Sequence, residues 1–391
     1  TSRVYDGTTA ATLLAGNFTA AGAVDGDAVT LAWTGAVYGD RNAGTGKAVT
    51  ATGISASAAN AGAPVYGYTL ASTTATANIG QITPASLTVT AQADTRVYDG
   101  TTASSAAPLL SGATYDAVGT AATQSFDNRN AGTGKNLVAS GLVMADGNGG
   151  ANYAISYVGN AAGVITPASL TVTAQADTRV YDGTTASSAA PLLSGATYDA
   201  VGTAATQSFD NRNAGTGKNL TASGLVMADG NGGNNYSVSY IGSTAGVITP
   251  ALLTVTAQAD SRVYDGTTAS SSAPVVSGAT YDTVGTAASQ SFDDRNAGTG
   301  KTLTAAGLVM ADGNGGNNYS VSYVTNSQGV ITPAPLSITA DDKERPVATP
   351  NPPFTASYVG LVGGDTPSSL GGTLDFSTPA TIGSPEGSFL I

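Results

Sequence analysis

All-β is the fold class that the sequence predicts, as a tandem array of small β-sandwich or β-grasp-like modules forming an extended rod. Three observations carry that prediction. The Pro of an Ile-Thr-Pro triplet recurs at Pro84, Pro167, Pro250 and Pro333, 83 residues apart each time, so the 391 residues are read as repeats before they are read as domains. Apolar and polar residues alternate with period two in Leu87-Thr88-Val89-Thr90 and in Tyr236-Ser237-Val238-Ser239-Tyr240, the pattern of strands with one buried face. Asp-Gly, Asn-Gly and Gly-Gly pairs separate such runs and supply the positive φ angles of tight turns, which predicts short antiparallel strands.

The units read as 1–84, a divergent repeat lacking its first strand; 85–167, 168–250 and 251–333, three close repeats; and 334–391, a partial module of a different kind. Residues 85–167 and 168–250 differ at seven positions, which marks recent duplication. What survives in the divergent first unit is therefore the informative part: Val4-Tyr5-Asp6-Gly7-Thr8-Thr9, Asp40-Arg41-Asn42-Ala43-Gly44-Thr45-Gly46-Lys47 and Ile82-Thr83-Pro84. The Ala-rich stretch 101–110 contains Pro108, which limits it to one turn of helix. At the unit boundaries Val164-Ile165-Thr166-Pro167 runs within three residues into Leu170-Thr171-Val172, leaving no linker to flex. Both termini read as cuts within a longer array, the tail ending without its closing strands.

Composition narrows the chemistry. The chain has no cysteine and no histidine, so thiol nucleophiles, disulfides, imidazole bases and the commonest transition-metal ligands are absent together. A net charge of −12 with only 14 Lys and Arg offers no basic field for phosphates, which argues against nucleic acid as a partner. No apolar run reaches the roughly 18 residues of a membrane-spanning helix, so membrane insertion is not expected. An enzyme would need a cleft with paired acids, which the repeats do not suggest, and the expectation is of no enzyme, with no catalytic, cofactor-binding or metal site.

Four motifs invite sharper readings. Tyr98-Asp99-Gly100, with its equivalents Tyr5-Asp6-Gly7, Tyr181-Asp182-Gly183 and Tyr264-Asp265-Gly266, reads as a core ring with its hydroxyl on backbone, followed by an Asp-Gly turn. The competing reading is an exposed platform for sugar stacking. Gly132-Thr133-Gly134-Lys135 resembles a phosphate loop only in its last letters, because Arg129 occupies the place of the leading Gly. Asp146-Gly147-Asn148-Gly149-Gly150 could present oxygens to calcium, but with one carboxylate it reads as a hairpin loop. Lys47, Lys135, Lys218 and Lys301 are each the sole Lys of their repeat and read as ion pairs or carbonyl caps, with a Lys to Asn or Asp isopeptide crosslink as the alternative.

Val-Tyr-Asp-Gly-Thr-Thr together with Asp-Arg-Asn-Ala-Gly-Thr-Gly-Lys resembles the signature of the YDG repeat. The tail, with Leu336-Ser337-Ile338-Thr339-Ala340 and Tyr358-Val359-Gly360-Leu361-Val362-Gly363-Gly364-Asp365, is similar to the MBG module, although Arg345-Pro346-Val347 stands where a Val-Tyr-Gly run is common. The resemblance implies a bacterial, extracellular or cell-surface protein similar to filamentous haemagglutinins exported by two-partner secretion. It implies a stalk in adhesion or biofilm matrix, whose partners are the neighbouring repeats of the same chain and other copies in a fibre. The alternative is that each repeat binds a cell-surface glycan or protein weakly and acts by avidity.

Overall fold

The structure is a computed structural model that describes residues 1–391. It is built from β-strands, and its helical content is two single 3₁₀ turns, Ala15–Asn17 and Pro367–Ser369. The stretch 101–110 forms no helical turn: bends lead directly into strand Leu109–Ser111.

The chain divides into two compact units. One comprises residues 1–171 with 193–204 and 224–239, which takes in the first two repeats and two segments of the third. The other comprises 172–192, 205–223 and 240–391, which takes in the rest of the third repeat, the fourth and the tail.

In the first unit, the second repeat shows the construction. Strand Ala85–Thr90 lies between Leu109–Ser111, antiparallel to it, and Tyr153–Val158, parallel to it. A four-stranded sheet follows the order Thr123–Phe126, Gly132–Ser140, Asn160–Thr166, Thr95–Val97, its last pair again parallel. Val118–Thr120 and Val143–Met144 form a separate short ladder. The fourth repeat, in the second unit, has the same sheets with the same pairings.

The expectation of short antiparallel strands holds for most pairings and is corrected for two of them, which are parallel. The second repeat contains two segments, 85–97 and 153–166, that leave one sheet and enter the other, and because these segments run side by side in the same direction their pairings are parallel, as they are for 251–263 and 319–332 in the fourth. Gly159 sits at the crossing point of the second segment, where an added Cβ would lie 3.1 Å from the Leu137 carbonyl. With no α-helix laid across either sheet, the module is a two-sheet sandwich. Leu87, Val89, Phe126, Leu137, Ala139 and Ile165, drawn from both sheets at alternate positions, make its buried core.

In the first unit Pro84 and Pro167 each stand alone between the last strand of one repeat and the first of the next, Ala75–Thr83 to Ala85–Thr90 and Asn160–Thr166 to Ala168–Thr173. Proline withholds the N–H that would continue the ladder, so the strand changes sheets at a fixed point.

Candidate functional site

The Tyr-Asp-Gly motif follows a short strand, Thr95–Val97 in the second repeat. Its Asp accepts the Thr101 N–H at 2.8 Å and pairs with Arg96 at 2.5 Å, while Gly100 takes φ +79° to complete the turn. Arg96 lies over the Phe126 ring at 5.1 Å, which keeps the turn against the four-stranded sheet. Asp99 is held below the usual carboxylate range: burial opposes this, and the Thr101 N–H and hydroxyl with the Arg96 guanidinium outweigh it.

The tyrosine itself crosses to the next repeat. In the first unit the buried ring of Tyr98 meets Tyr198 and Tyr236 edge-on, at centroid distances of 6.0 and 5.5 Å, and its hydroxyl donates to Asp199 Oδ2 at 2.7 Å. Tyr236 donates to the same oxygen at 3.0 Å, and Arg129 binds Asp199 Oδ1 at 2.9 Å. Tyr5 is seated likewise on Tyr115, Tyr153 and Asp116, with Arg41 at 3.2 Å. In the second unit Tyr181 is seated on Tyr281, Tyr319 and Asp282, with Arg212 at 3.0 Å. The hydroxyl partner is therefore a carboxylate one repeat onward, in place of the backbone group expected, and the buried rings offer no platform to a sugar.

Burial first, and the hydrogen bond to the carboxylate second, push Tyr5, Tyr98 and Tyr181 up to about 12. The fourth motif tyrosine, Tyr264, donates to Asp365 at 2.7 Å but is only half-buried and has no aromatic neighbour.

The Asp-Arg-Asn-Ala loop completes the same contact. Beyond the Arg129 pair, the Ala131 N–H donates to Asn235 Oδ1 at 2.8 Å, Asn235 Nδ2 donates to Asn130 Oδ1 at 3.3 Å, and Arg129 reaches the Asp229 carbonyl at 3.3 Å. Asn235 is fully buried. Arg41 to Ala43 and Arg212 to Ala214 make the same set against 146–152 and 312–318.

The four lysines hold this loop from behind. Lys135 lies on strand Gly132–Ser140 and donates to Asn128 Oδ1, which also accepts the Asn130 N–H at 3.1 Å. Lys218 meets Asn211, Lys47 meets Asp40 and Lys301 meets Asp294, each at 2.5 Å. The Gly-Thr-Gly-Lys stretch is thus strand, with no helix after it. Asp210, beside the Lys218 to Asn211 contact, is held below its usual range: burial opposes, and the Asn211 N–H and the Lys218 ammonium prevail. In the structure the contact is a hydrogen bond to Asn211 with an ion pair to Asp210 at 3.4 Å.

The loop at 146–150 is part of the joint too. Asp146 Oδ1 accepts the N–H groups of Asn148 and Gly150, both at 2.8 Å, and Oδ2 accepts that of Asn152 at 3.0 Å. Both oxygens are engaged in shaping a turn that presents the Asp146 carbonyl and Asn152 to the preceding repeat. The first repeat has 57–62 in place of that loop.

Sequence reasoning missed the receiving residues: Asp116, Asp199 and Asp282 in Thr-Tyr-Asp, and Tyr153, Tyr236 and Tyr319 in Asn-Tyr. Their signal was recurrence of both motifs in the three close repeats. It also missed Asp94, Asp177 and Asp260, buried carboxylates that accept two Ser hydroxyls and one backbone N–H each.

A family model described as the YDG domain matches residues 1–76, 83–161, 166–244 and 249–327, and one described as the MBG domain (YGX type) matches 336–391. No curated protein and no solved structure matches the chain.

Proposed function

The chain belongs to the YDG domain family, four YDG repeats followed by an MBG domain in the repeat region of an adhesin-like protein, and from that premise we propose that it is a load-bearing spacer. In this reading it is a stalk or fibre segment of a secreted or cell-surface bacterial adhesin, and its work is mechanical rather than catalytic.

The observation that carries the reading is the joint. Each repeat inserts a tyrosine and an arginine into a carboxylate of the next, and a single proline separates their strands. A flexible tether would need neither. Burying a ring, making a charge-assisted hydrogen bond and pairing an arginine each stabilise the contact, and leaving a buried hydroxyl without its acceptor costs about 1–3 kcal/mol. Near-identical repeats suit this role, since adding one changes reach without disturbing a site.

Small-angle scattering tests the proposal on the whole chain. A compact globule of 391 residues has a radius of gyration of about 21 Å. A spacer requires a value well above that, and one that falls when residues 168–250 are deleted. A value near 21 Å removes the proposal.

A further inference from the structure

We propose that the second, third and fourth repeats each close an internal ester crosslink between a serine hydroxyl and a glutamine side chain: Ser104 to Gln124, Ser187 to Gln207 and Ser270 to Gln290. Such a bond is independent of any load on the chain, and it is built by the same constellation in all three repeats.

The backbone sets the two groups opposite one another. In the second repeat Ala103 and Ser125 form an isolated antiparallel bridge, which makes Ser104 and Gln124 cross-strand neighbours. Residues paired in this way stand about 4.5–5.5 Å apart at Cβ, a span that the atoms Cβ–Oγ–Cδ–Cγ–Cβ of a serine to glutamine ester cover. Asp94 lies behind the serine, and its Oδ2 accepts the Ser104 hydroxyl at 2.6 Å. Ser104 Oγ in turn accepts Gln124 Nε2 at 2.9 Å. On its other side the amide is pinned by Gln92, whose N–H donates to Gln124 Oε1 at 2.7 Å and whose carbonyl accepts Nε2 at 2.8 Å.

These are the parts of an acyl transfer: a hydroxyl beside a base, an acyl carbon, and a backbone donor on the acyl oxygen. Asp94 is held below the usual carboxylate range: burial opposes this, and the Ser104 hydroxyl with the Ser105 N–H and hydroxyl prevail, which leaves it ionised as a base must be. Ser104 Oγ gives its proton to Asp94 and bonds to Gln124 Cδ, while the carbonyl electrons move onto Oε1 under the Gln92 N–H. As the carbonyl re-forms, the Cδ–Nε2 bond breaks, Asp94 passes its proton to the nitrogen, and ammonia leaves. Nothing is oxidised or reduced, and no other reactant enters. Gln124 and Asp94 are only 5% and 8% exposed, so the water that would hydrolyse the ester is kept out. One turnover per repeat completes the work, and a weak base suffices for that.

The third repeat has Asp177, Ser187, Gln207 and Gln175 in the same roles, at 2.6, 2.9 and 2.8 Å. The fourth has Asp260, Ser270, Gln290 and Gln258, again at 2.6, 2.9 and 2.8 Å. The first repeat is an internal control: its bridge between Ala10 and Val37 places Ala11 opposite Ala36, with neither a nucleophile nor an acyl group. In a chain without cysteine, the ester would tie the segment after strand Thr95–Val97 to the edge strand Thr123–Phe126 as a disulfide does elsewhere.

Mass spectrometry of the purified whole chain after denaturation tests the proposal. The mass should fall short of that of the sequence by one ammonia for each of the three repeats. Trypsin leaves Ser104 and Gln124 together in peptide 97–129, between Arg96 and Arg129. That peptide should carry one of the losses, release no separate backbone fragments between the two residues, and be opened by hydroxylamine, which cleaves esters. Ser104→Ala should leave two losses in place of three, and Asp94→Asn should do the same with the hydroxyl still present. The parent chain and Ser104→Ala decide the question even if Asp94→Asn fails to fold. A parent chain at the full mass of its sequence overturns the proposal. So does a deficit that Ser104→Ala leaves unchanged, as cyclisation at an Asn-Gly pair elsewhere would give.

Discussion

Tyr98 carries out two tasks with one side chain: its ring fills an apolar seat between Tyr198 and Tyr236, and its hydroxyl meets a carboxylate that Arg129 also holds. Truncating either partner has different consequences. Tyr98→Phe keeps the ring and loses one charge-assisted bond, so about 1.5–3 kcal/mol of docking free energy should go. Asp199→Ala strips Tyr98, Tyr236 and Arg129 of their common partner and should cost more, since two hydroxyls lose their acceptor at about 1–3 kcal/mol for each buried donor left unsatisfied. Denaturant titration of both variants checks the order, and equal losses would mean that the carboxylate is not the hub.

The same group sets an alkaline limit. The folded pKa of Tyr5, Tyr98 and Tyr181 is pushed up to about 12, above the ordinary value of about 10. The folded chain therefore holds these protons more tightly than the unfolded chain. Their contribution is complete below about pH 10 and is lost as the pH rises towards 12. Ultraviolet titration of phenolate should resolve a late class of tyrosines, and a single transition near 10 would contradict the burial described.

Among elements, the turn at Gly183 shows how narrowly the joint is fitted. Its φ is +79°, and an added Cβ would sit 3.1 Å from Tyr281 Cβ. Gly183→Ala should destabilise by roughly 1–2 kcal/mol from the backbone alone and displace the seat of Tyr181 as well. Gly233, with φ +84° and open space around it, should lose the backbone part only, and equal effects at the two sites would show that the joint is loose. In the fourth repeat, the strand that precedes the equivalent turn at Gly266 is anchored by a buried acid whose behaviour opposes that of the tyrosines. Asp260 is held at about 2, burial opposing and the Ser270 and Ser271 hydroxyls with the Ser271 N–H prevailing. Its stabilisation is present above about pH 4 and disappears as pH falls towards 2, so hydrogen exchange in strand Ser261–Val263 should accelerate in that window.

Elements were also where the sequence was most legible. Period-two runs such as Leu87 to Thr90 and the single prolines at the boundaries translate directly into strands and junctions. Parallel pairing was not legible, because it depends on two sheet-switching segments lying side by side some 68 residues apart in the chain. The donor motifs stood out through survival in the divergent repeat, yet their purpose did not. Tyr98 and Asp199 are separated by 101 residues, more than one period, so reading each repeat as a closed module assigned the ring to its own core.

For the molecule as a whole, the account rests on a claim about neighbours: within each compact unit, repeats are fixed to one another by the tyrosine, aspartate and arginine contact rather than strung on a tether. The absence of cysteine makes this measurable, since two introduced thiols are the only ones present. Ser140 in the second repeat and Thr203 in the third are exposed and belong to the same unit. Spin labels on Ser140→Cys and Thr203→Cys, read by double electron–electron resonance, report the distribution of distances between these repeats. The account predicts one narrow distribution that broadens when Asp199→Ala is added. A broad distribution in the parent chain, or a narrow one that Asp199→Ala leaves unchanged, would contradict it.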